Sequence, residues 1–398
     1  MRVVLFTGKG GVGKTTLAAA TAARVAAEGR KTLVLSTDPA HSLADAFSCG
    51  VESEPTEVAS GLYVGHVDTQ RRLQDSWGDL QGYLTTLLGS AGFDSLRAEE
   101  LTVLPGAEEL LALIEVRDHV RSGRWDAVMV DCAPTAETLR LLALPEALDW
   151  YLSKALPAER RVVRALRPLL GPAVGLPAPN AAVWAAAERL QDQLLDVQQV
   201  LRAPETTVRL VLTPESVVVA EARRALTQLA LYGYRVDGVI ANRVFDGGDD
   251  PWRTGWAETQ RRQLREVVDS FDPLPIFTAG YLAAEPVGAA ALASLGATVY
   301  GSADPLAAVE ADDFLQVRQV GSAFVMTLAL PLVDKDSLDL TRVGDDLVVT
   351  VSGRRRVLAL PSALRRCHVR GAHVDDGRLE IRFQPDPDQF PPVTQAHP

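Results

Sequence analysis

Three cysteines in 398 residues leave little sulfur chemistry to build with. Cys49, Cys132 and Cys367 lie far apart and no C-x-x-C pair occurs. That excludes a disulfide framework and a zinc site held within one chain, and it fits a reducing compartment. Each cysteine reads as a small buried apolar residue. Methionine is equally scarce, at Met1, Met129 and Met326. No apolar run approaches the roughly 20 residues that span a bilayer. The chain enters a strand-like stretch at 2–6, with no export-signal pattern, so the expected location is the cytoplasm. Basic residues are outnumbered, for a net charge of −11. This argues against a nucleic-acid partner or an anionic membrane surface, leaving membrane contact only through a partner. With 47% hydrophobic and 23% charged residues the composition is that of a globular protein, long enough for two or three domains.

Lysine is rare too, with five residues at positions 9, 14, 31, 154 and 335. Two of the five fall in one loop, Gly8-Lys9-Gly10-Gly11-Val12-Gly13-Lys14-Thr15-Thr16. The loop follows the strand-like stretch and opens a helical pattern over 15–28. It fits G-x-x-x-x-G-K-S/T, the nucleotide phosphate-binding loop. Glycines let the backbone curl so that its N–H groups face phosphate oxygens, and the helix adds its positive end. Lys14 reaches the β/γ-phosphates and Thr15 offers its hydroxyl to Mg²⁺. Lys9 stands where the ordinary pattern is free. It is either an exposed loop charge or a second phosphate ligand pointing to a nucleotide on a facing subunit, which would make the protein a homodimer.

Apolar runs at 3–6, 32–36, 62–67, 102–104, 127–130, 208–212, 238–241 and 274–277 alternate with helical patterns. This predicts an α/β fold, a P-loop-bearing parallel sheet flanked by helices, over 1–301. Ligands in such sheets bind beyond the carboxyl ends of the strands. Two longer helical stretches, about 69–123 and 145–202, interrupt the alternation. They either cover the sheet or form a helical lobe that moves with the nucleotide and holds an apolar partner. Residues 302–318 read as a linker, 319–384 as a separate β-sandwich of short alternating strands, and 385–398 as a Pro-rich disordered tail.

The chemistry-bearing residues sit at strand ends. Asp38, in Asp38-Pro39-Ala40-His41, can orient a water against the γ-phosphate, or cap a helix. His41 can sense that phosphate, or serve as a hydrogen-bonded loop residue. Asp131 ends an apolar strand, the position expected for a partner of Mg²⁺. Glu215 follows one strand, and Asn242-Arg243 follows another, where the Asn amide can read an adenine edge.

Together these residues resemble the ArsA-type ATPases, the family of the arsenical-pump ATPase and the tail-anchored-protein targeting ATPase. The resemblance rests on 8–15, on Asp38-Pro39-Ala40-His41, on Pro105-Gly106-Ala107-Glu108-Glu109, on 131–140 and on Asn242. It implies that Lys9 acts across a dimer on the partner's nucleotide and that Asp38 positions the attacking water. It also implies that 131–135 form a second switch, that Asn242 binds adenine, and that Glu215 reaches the nucleotide. Catalysis would fall to Asp38, Lys9 and Lys14, with ATP and Mg²⁺ as ligands and ATP-driven closure of a homodimer as the output. Departures are visible: Ala136-Glu137 stands where the family continues Gly-His, and the targeting ATPases' zinc C-x-x-C and Met-rich helices are missing. The soft-metal cysteines of the pump ATPases have no counterparts either. The C-terminal part resembles the small heat-shock (α-crystallin) sandwich at Leu328-Ala329-Leu330-Pro331, at Leu358-Ala359-Leu360-Pro361 and over 371–381. The expected function is an ATP hydrolase whose opening and closing handles an apolar protein client. An arsenite-efflux energiser and a nucleotide-dependent scaffold with little turnover are the alternatives.

Overall fold

The computed structural model describes residues 1–37, 42–50, 54–67, 107–132, 181–307 and 314–386. Its N-terminal part runs β1 (Arg2–Thr7), α1 (Lys14–Ala27), β2 (Thr32–Ser36), α2 (Ser42–Phe47), β3 (Thr56–Ala59), β4 (Leu62–His66), α3 (Ala107–Arg121) and β5 (Ala127–Asp131). It continues through α4 (Ala181–Arg202), β6 (Thr206–Leu212), α5 (Ser216–Leu231), β7 (Val236–Val244), α6 (Pro251–Phe271), β8 (Ile276–Gly280) and α7 (Ala289–Tyr300). The eight strands form one sheet in the order β3-β4-β2-β5-β1-β6-β7-β8. Every pairing is parallel except β3 with β4. Strands β2, β5 and β6 are buried along their whole length, as continuous apolar runs with helices on both faces require. The doubly covered parallel sheet expected from the alternation is present. The antiparallel edge strand β3 is an addition to that expectation. Its four residues, Thr-Glu-Val-Ala, carry too little apolar signal to stand out.

The strand expected at 102–104 lies outside the described residues, as do 68–106 and 133–180 of the two long helical stretches. Their described ends are helical. In α4 the side chains of Leu190, Leu194, Val197 and Leu201 are buried, as a 3.6-residue period demands. Arg121 of α3 donates to Asp196 of α4 at 2.8 Å.

Beneath the sheet a buried polar network ties β6, β7 and α7 together. The Arg209 guanidinium donates to both carboxylate oxygens of Asp237, at 3.0 and 2.8 Å. It also reaches Tyr300 Oη and the Pro305 carbonyl, each at 3.0 Å. Thr207 adds a 2.6 Å bond to the same carboxylate. A bidentate pair with a further hydroxyl donor on the carboxylate is what allows two charges to stay buried here.

The C-terminal part comprises β9 (Leu315–Val320), β10 (Ala323–Ala329), β11 (Leu338–Val343), β12 (Asp346–Val351), β13 (Arg354–Ala359), α8 (Ser362–Arg365), β14 (Cys367–Asp375) and β15 (Arg378–Pro385). Two antiparallel sheets, β14-β15-β10-β9 and β11-β12-β13, close on a shared core of Met326, Leu328, Leu347, Val349, Ile381 and Phe383. Strand β9 begins inside the segment read as linker, because its largely exposed, mixed polar residues hide an edge strand. The sandwich also takes a residue from the first part. Leu231, the last residue of α5, is fully buried in its core. Arg356 of β13 donates to the Leu231 carbonyl and lies 4.4 Å above the Phe314 ring. Thr227 of α5 donates to the Pro331 carbonyl at 2.7 Å.

Candidate nucleotide site

The loop between β1 and α1 has a shape that only glycine permits at two points. A Cβ on Gly8 would sit 2.0 Å from the Val211 carbonyl oxygen of β6. Gly13 adopts φ +94°, and a Cβ there would meet the Asn242 amide nitrogen at 2.3 Å. The backbone therefore passes against β6 and β7 before turning into α1. No side chain caps α1 at Gly13, so its positive end is left to the loop itself.

Lys14 is buried, and its Nζ lies 3.3 Å from the Lys9 carbonyl oxygen. The Thr15 hydroxyl donates to Asp131 Oδ2 at 2.7 Å. Two residues separated by 116 positions thus meet at the carboxyl ends of adjacent strands, β1 and β5. Asp131 is 1% exposed. Its backbone carbonyl accepts from the Thr37 N–H at 2.9 Å and from the Thr37 hydroxyl at 3.3 Å. Thr37 therefore ties the end of β2 to the end of β5, one residue before Asp38. Asp38 and His41 themselves lie outside the described residues, as do 133–140.

Asn242 donates from Nδ2 to the Val12 carbonyl at 2.8 Å. This uses one of the two amide hydrogens, so the side chain grips the loop with a donor to spare. The grip depends on a bulge: the β7–β8 register shifts between Ala241 and Val244. Arg243, exposed, takes a left-handed φ of +56° there. Gln260 of α6 holds the bulge, donating to the Arg243 carbonyl at 3.1 Å and accepting from the Phe245 N–H at 2.7 Å. Neither Thr37 nor Gln260 is legible as a site residue in the sequence; only the place of Thr37 beside Asp38 is a signal. Glu215 is exposed at the start of α5, and its own N–H turns back to the Thr213 carbonyl at 2.7 Å. Among the described residues no hydrogen bond or ion pair joins Glu215 to the loop.

The donors gathered at the foot of the loop are oxygens, one hydroxyl and one carboxylate. Among the described residues no group of three or more His, Cys, Asp or Glu is placed to hold an ion by itself. Few protein oxygens beside a phosphate cradle suit Mg²⁺, which keeps its waters and shares substrate phosphates. Next to Asp131, Cys132 is buried. Burial first, and the Asp131 charge second, push its thiol well above the usual range.

Comparison with known proteins places these features. The family of anion-transporting ATPases matches residues 1–301, and the HSP20-like domain found in ArsA matches 321–383. A putative arsenical pump-driving ATPase of Chlorobaculum tepidum is 34% identical over 388 residues, covering 96% of each chain. An uncharacterized protein of Streptomyces coelicolor is 38% identical over 394 residues, covering 98% of this chain and 99% of that one. The ATPase GET3 of Podospora anserina is 29% identical over 281 residues, covering 68% and 82%. Among the described residues no helix is long and apolar enough to cross a membrane.

Proposed function

The chain belongs to the anion-transporting ATPases of the ArsA type, and from that premise we propose a Mg²⁺-dependent ATP hydrolase that works as a cytoplasmic homodimer and handles an apolar protein client. The ATPase activity comes with the family. The observation that carries the mechanism is the 2.7 Å bond between Thr15 and Asp131 at the foot of the loop.

The loop N–H groups and Lys14 hold the β- and γ-phosphates, and Asn242, already fixed to the loop, faces the adenine. Thr15, with Asp131 beside it, would hold Mg²⁺, which would supply neutralisation of charge on the phosphates. Asp38 orients the water that attacks the γ-phosphorus, and Thr37 fixes the start of that segment to β5. The partner's Lys9 adds a positive charge beside the negative γ-phosphate. Products are ADP and phosphate, and catalysis is positioning plus charge neutralisation. Loss of the γ-phosphate releases the segments that follow β2 and β5, and the dimer opens. The helical stretches 69–123 and 145–202 form the lobe that this motion reshapes. The Leu190, Leu194 and Val197 stripe of α4 anchors it to the core.

Phosphate release against Mg²⁺, with the Lys9→Ala chain alongside, tests the reaction. Turnover that ignores both would refute it. For the client, an apolar helical peptide is expected to bind the ATP-analogue state and the ADP state with different affinities. Equal affinities would remove that part. An arsenite-driven role, which the name of the Chlorobaculum relative raises, needs soft thiolates. Two of the three cysteines, Cys132 and Cys367, are buried. Hydrolysis is therefore expected to be indifferent to arsenite, and stimulation by it would reinstate that role.

A further inference from the structure

The Asn242 amide cannot flip freely. The Val12 carbonyl only accepts, so the amide nitrogen has to face it. One N–H and the Oδ1 are left without a partner among the described residues, donor and acceptor in a fixed order. Adenine offers an amino donor beside a ring-nitrogen acceptor, which that order matches. Guanine puts the acceptor O6 where adenine has the donor. Base choice therefore depends on what holds this amide in place.

The sheet ladder alone does not hold it. From Ala241 to Val244, β7 takes three steps where β8, from Thr278 to Gly280, takes two. The extra residue re-aims the side chains around it. Arg243 sits at φ +56°, which a non-glycine residue keeps only where its neighbours impose it. Gln260 imposes it. Its amide accepts from the Phe245 N–H and donates to the Arg243 carbonyl, and neither partner can exchange roles, so the amide fits one way round. Gln260 is 3% exposed, the one polar residue among the four buried in α6. Packing a helix on a sheet asks only for an apolar side chain at such a position, so the amide serves the bulge. The Tyr281 N–H completes the clamp, donating to the Val244 carbonyl at 2.9 Å. Outside it, the Phe245 ring is stacked on Tyr281 at 4.8 Å and met edge-on by Trp252 at 6.2 Å.

We propose that Gln260 is a positioning residue for purine selection. By pinning the bulge it sets where the Asn242 amide stands, and so makes the site prefer adenine to guanine. It acts through the backbone of 243 and 245; among the described residues no hydrogen bond joins it to Asn242 or to the phosphate loop. Without it the 243–245 backbone relaxes, the fixed order of donor and acceptor is lost, and either purine can be met. This role rests on Asn242 reading the base.

Competition of ATP and of GTP against a ribose-labelled fluorescent ATP analogue, with Mg²⁺ present, measures the ratio of their dissociation constants in the full chain. The wild type is expected to bind ATP at least about 10-fold more tightly than GTP, the worth of a well-formed bidentate pair. Asn242→Ala and Gln260→Leu are each expected to bring the ratio near one. In phosphate release, Gln260→Leu is expected to raise KM for ATP far more than it lowers kcat. A wild type without preference, or an unchanged preference in Asn242→Ala, overturns the base-reading role of Asn242 and this proposal with it. Preference lost in Asn242→Ala but kept in Gln260→Leu overturns the role of Gln260 alone. So does an equal weakening of ATP and GTP by Gln260→Leu, which would make the residue merely structural. Should Gln260→Leu lack native circular dichroism, Gln260→Met, closer in shape and equally without an amide, supplies the same comparison: a lowered ratio is expected, and an unchanged one overturns the proposal.

Discussion

Replacing Asp131 with Asn keeps the size of the side chain at the end of β5 and removes only its charge. The Thr15 hydroxyl keeps an oxygen to bond, so the fold is expected to hold while Mg²⁺-dependent phosphate release falls by about 100-fold or more. Native circular dichroism with lost turnover would bear this out; turnover within a few-fold of wild type would contradict it. The neighbouring residue gives a pH prediction. Burial raises the Cys132 thiol above its ordinary range, so the folded chain holds that proton more tightly than the unfolded chain does. The stability that this contributes is complete below the unfolded thiol's pKa, near 8.5, and is lost as pH climbs through the higher folded value. At pH 8, alkylation of Cys132 by iodoacetamide is expected to run at least ~10-fold slower in the native than in the urea-unfolded chain. Mass spectrometry of the labelled peptide reads this directly, and equal rates would mean the thiol is open to solvent.

Strand β6 depends on β7 through two buried charges. Asp237→Ala would leave the Arg209 guanidinium in the interior without its carboxylate, at a cost of about 3–5 kcal/mol. Urea unfolding is expected to show that loss, and a change below about 1 kcal/mol would mean that water reaches the pair. This network illustrates what a sequence displays and what it conceals. The phosphate loop, β5 with its terminal Asp131, and the alternation of strands and helices were readable because each is a local pattern with its own period. Arg209 and Asp237 sit on neighbouring strands but 28 residues apart, and nothing local marks them as partners. Asn242 was readable as a strand-end residue, yet its bond to Val12 spans 230 positions. Strands β3 and β9 were missed because edge strands need little apolar character, so their residues carry little signal. The ring contacts of Phe245 with Trp252 and Tyr281, and of Trp252 with Trp256, escaped for a third reason: the rings come from segments on either side of α6 that only the fold brings together.

Across the whole molecule, the sandwich and the sheet share a helix. Arg356→Ala removes the donor that satisfies the Leu231 carbonyl and the cation above Phe314. An expected cost of about 1–3 kcal/mol follows from a buried acceptor left unmade. Scanning calorimetry is expected to find one cooperative transition for the wild type and a lower, broader or split one for the variant. A transition identical in position and width would mean that the two parts are held together elsewhere. Helix α5, capped by Glu215 just after β6, ends inside the sandwich core. Its final turn thus has two owners. A recombination event that spliced in a foreign C-terminal cassette at residue 301 would inherit a helix tip shaped for the cassette it had lost. Lineages carrying this architecture are therefore expected to keep both halves in step, and a chimaera made at that border would need its recipient's Thr227 and Leu231 rewritten along with the graft.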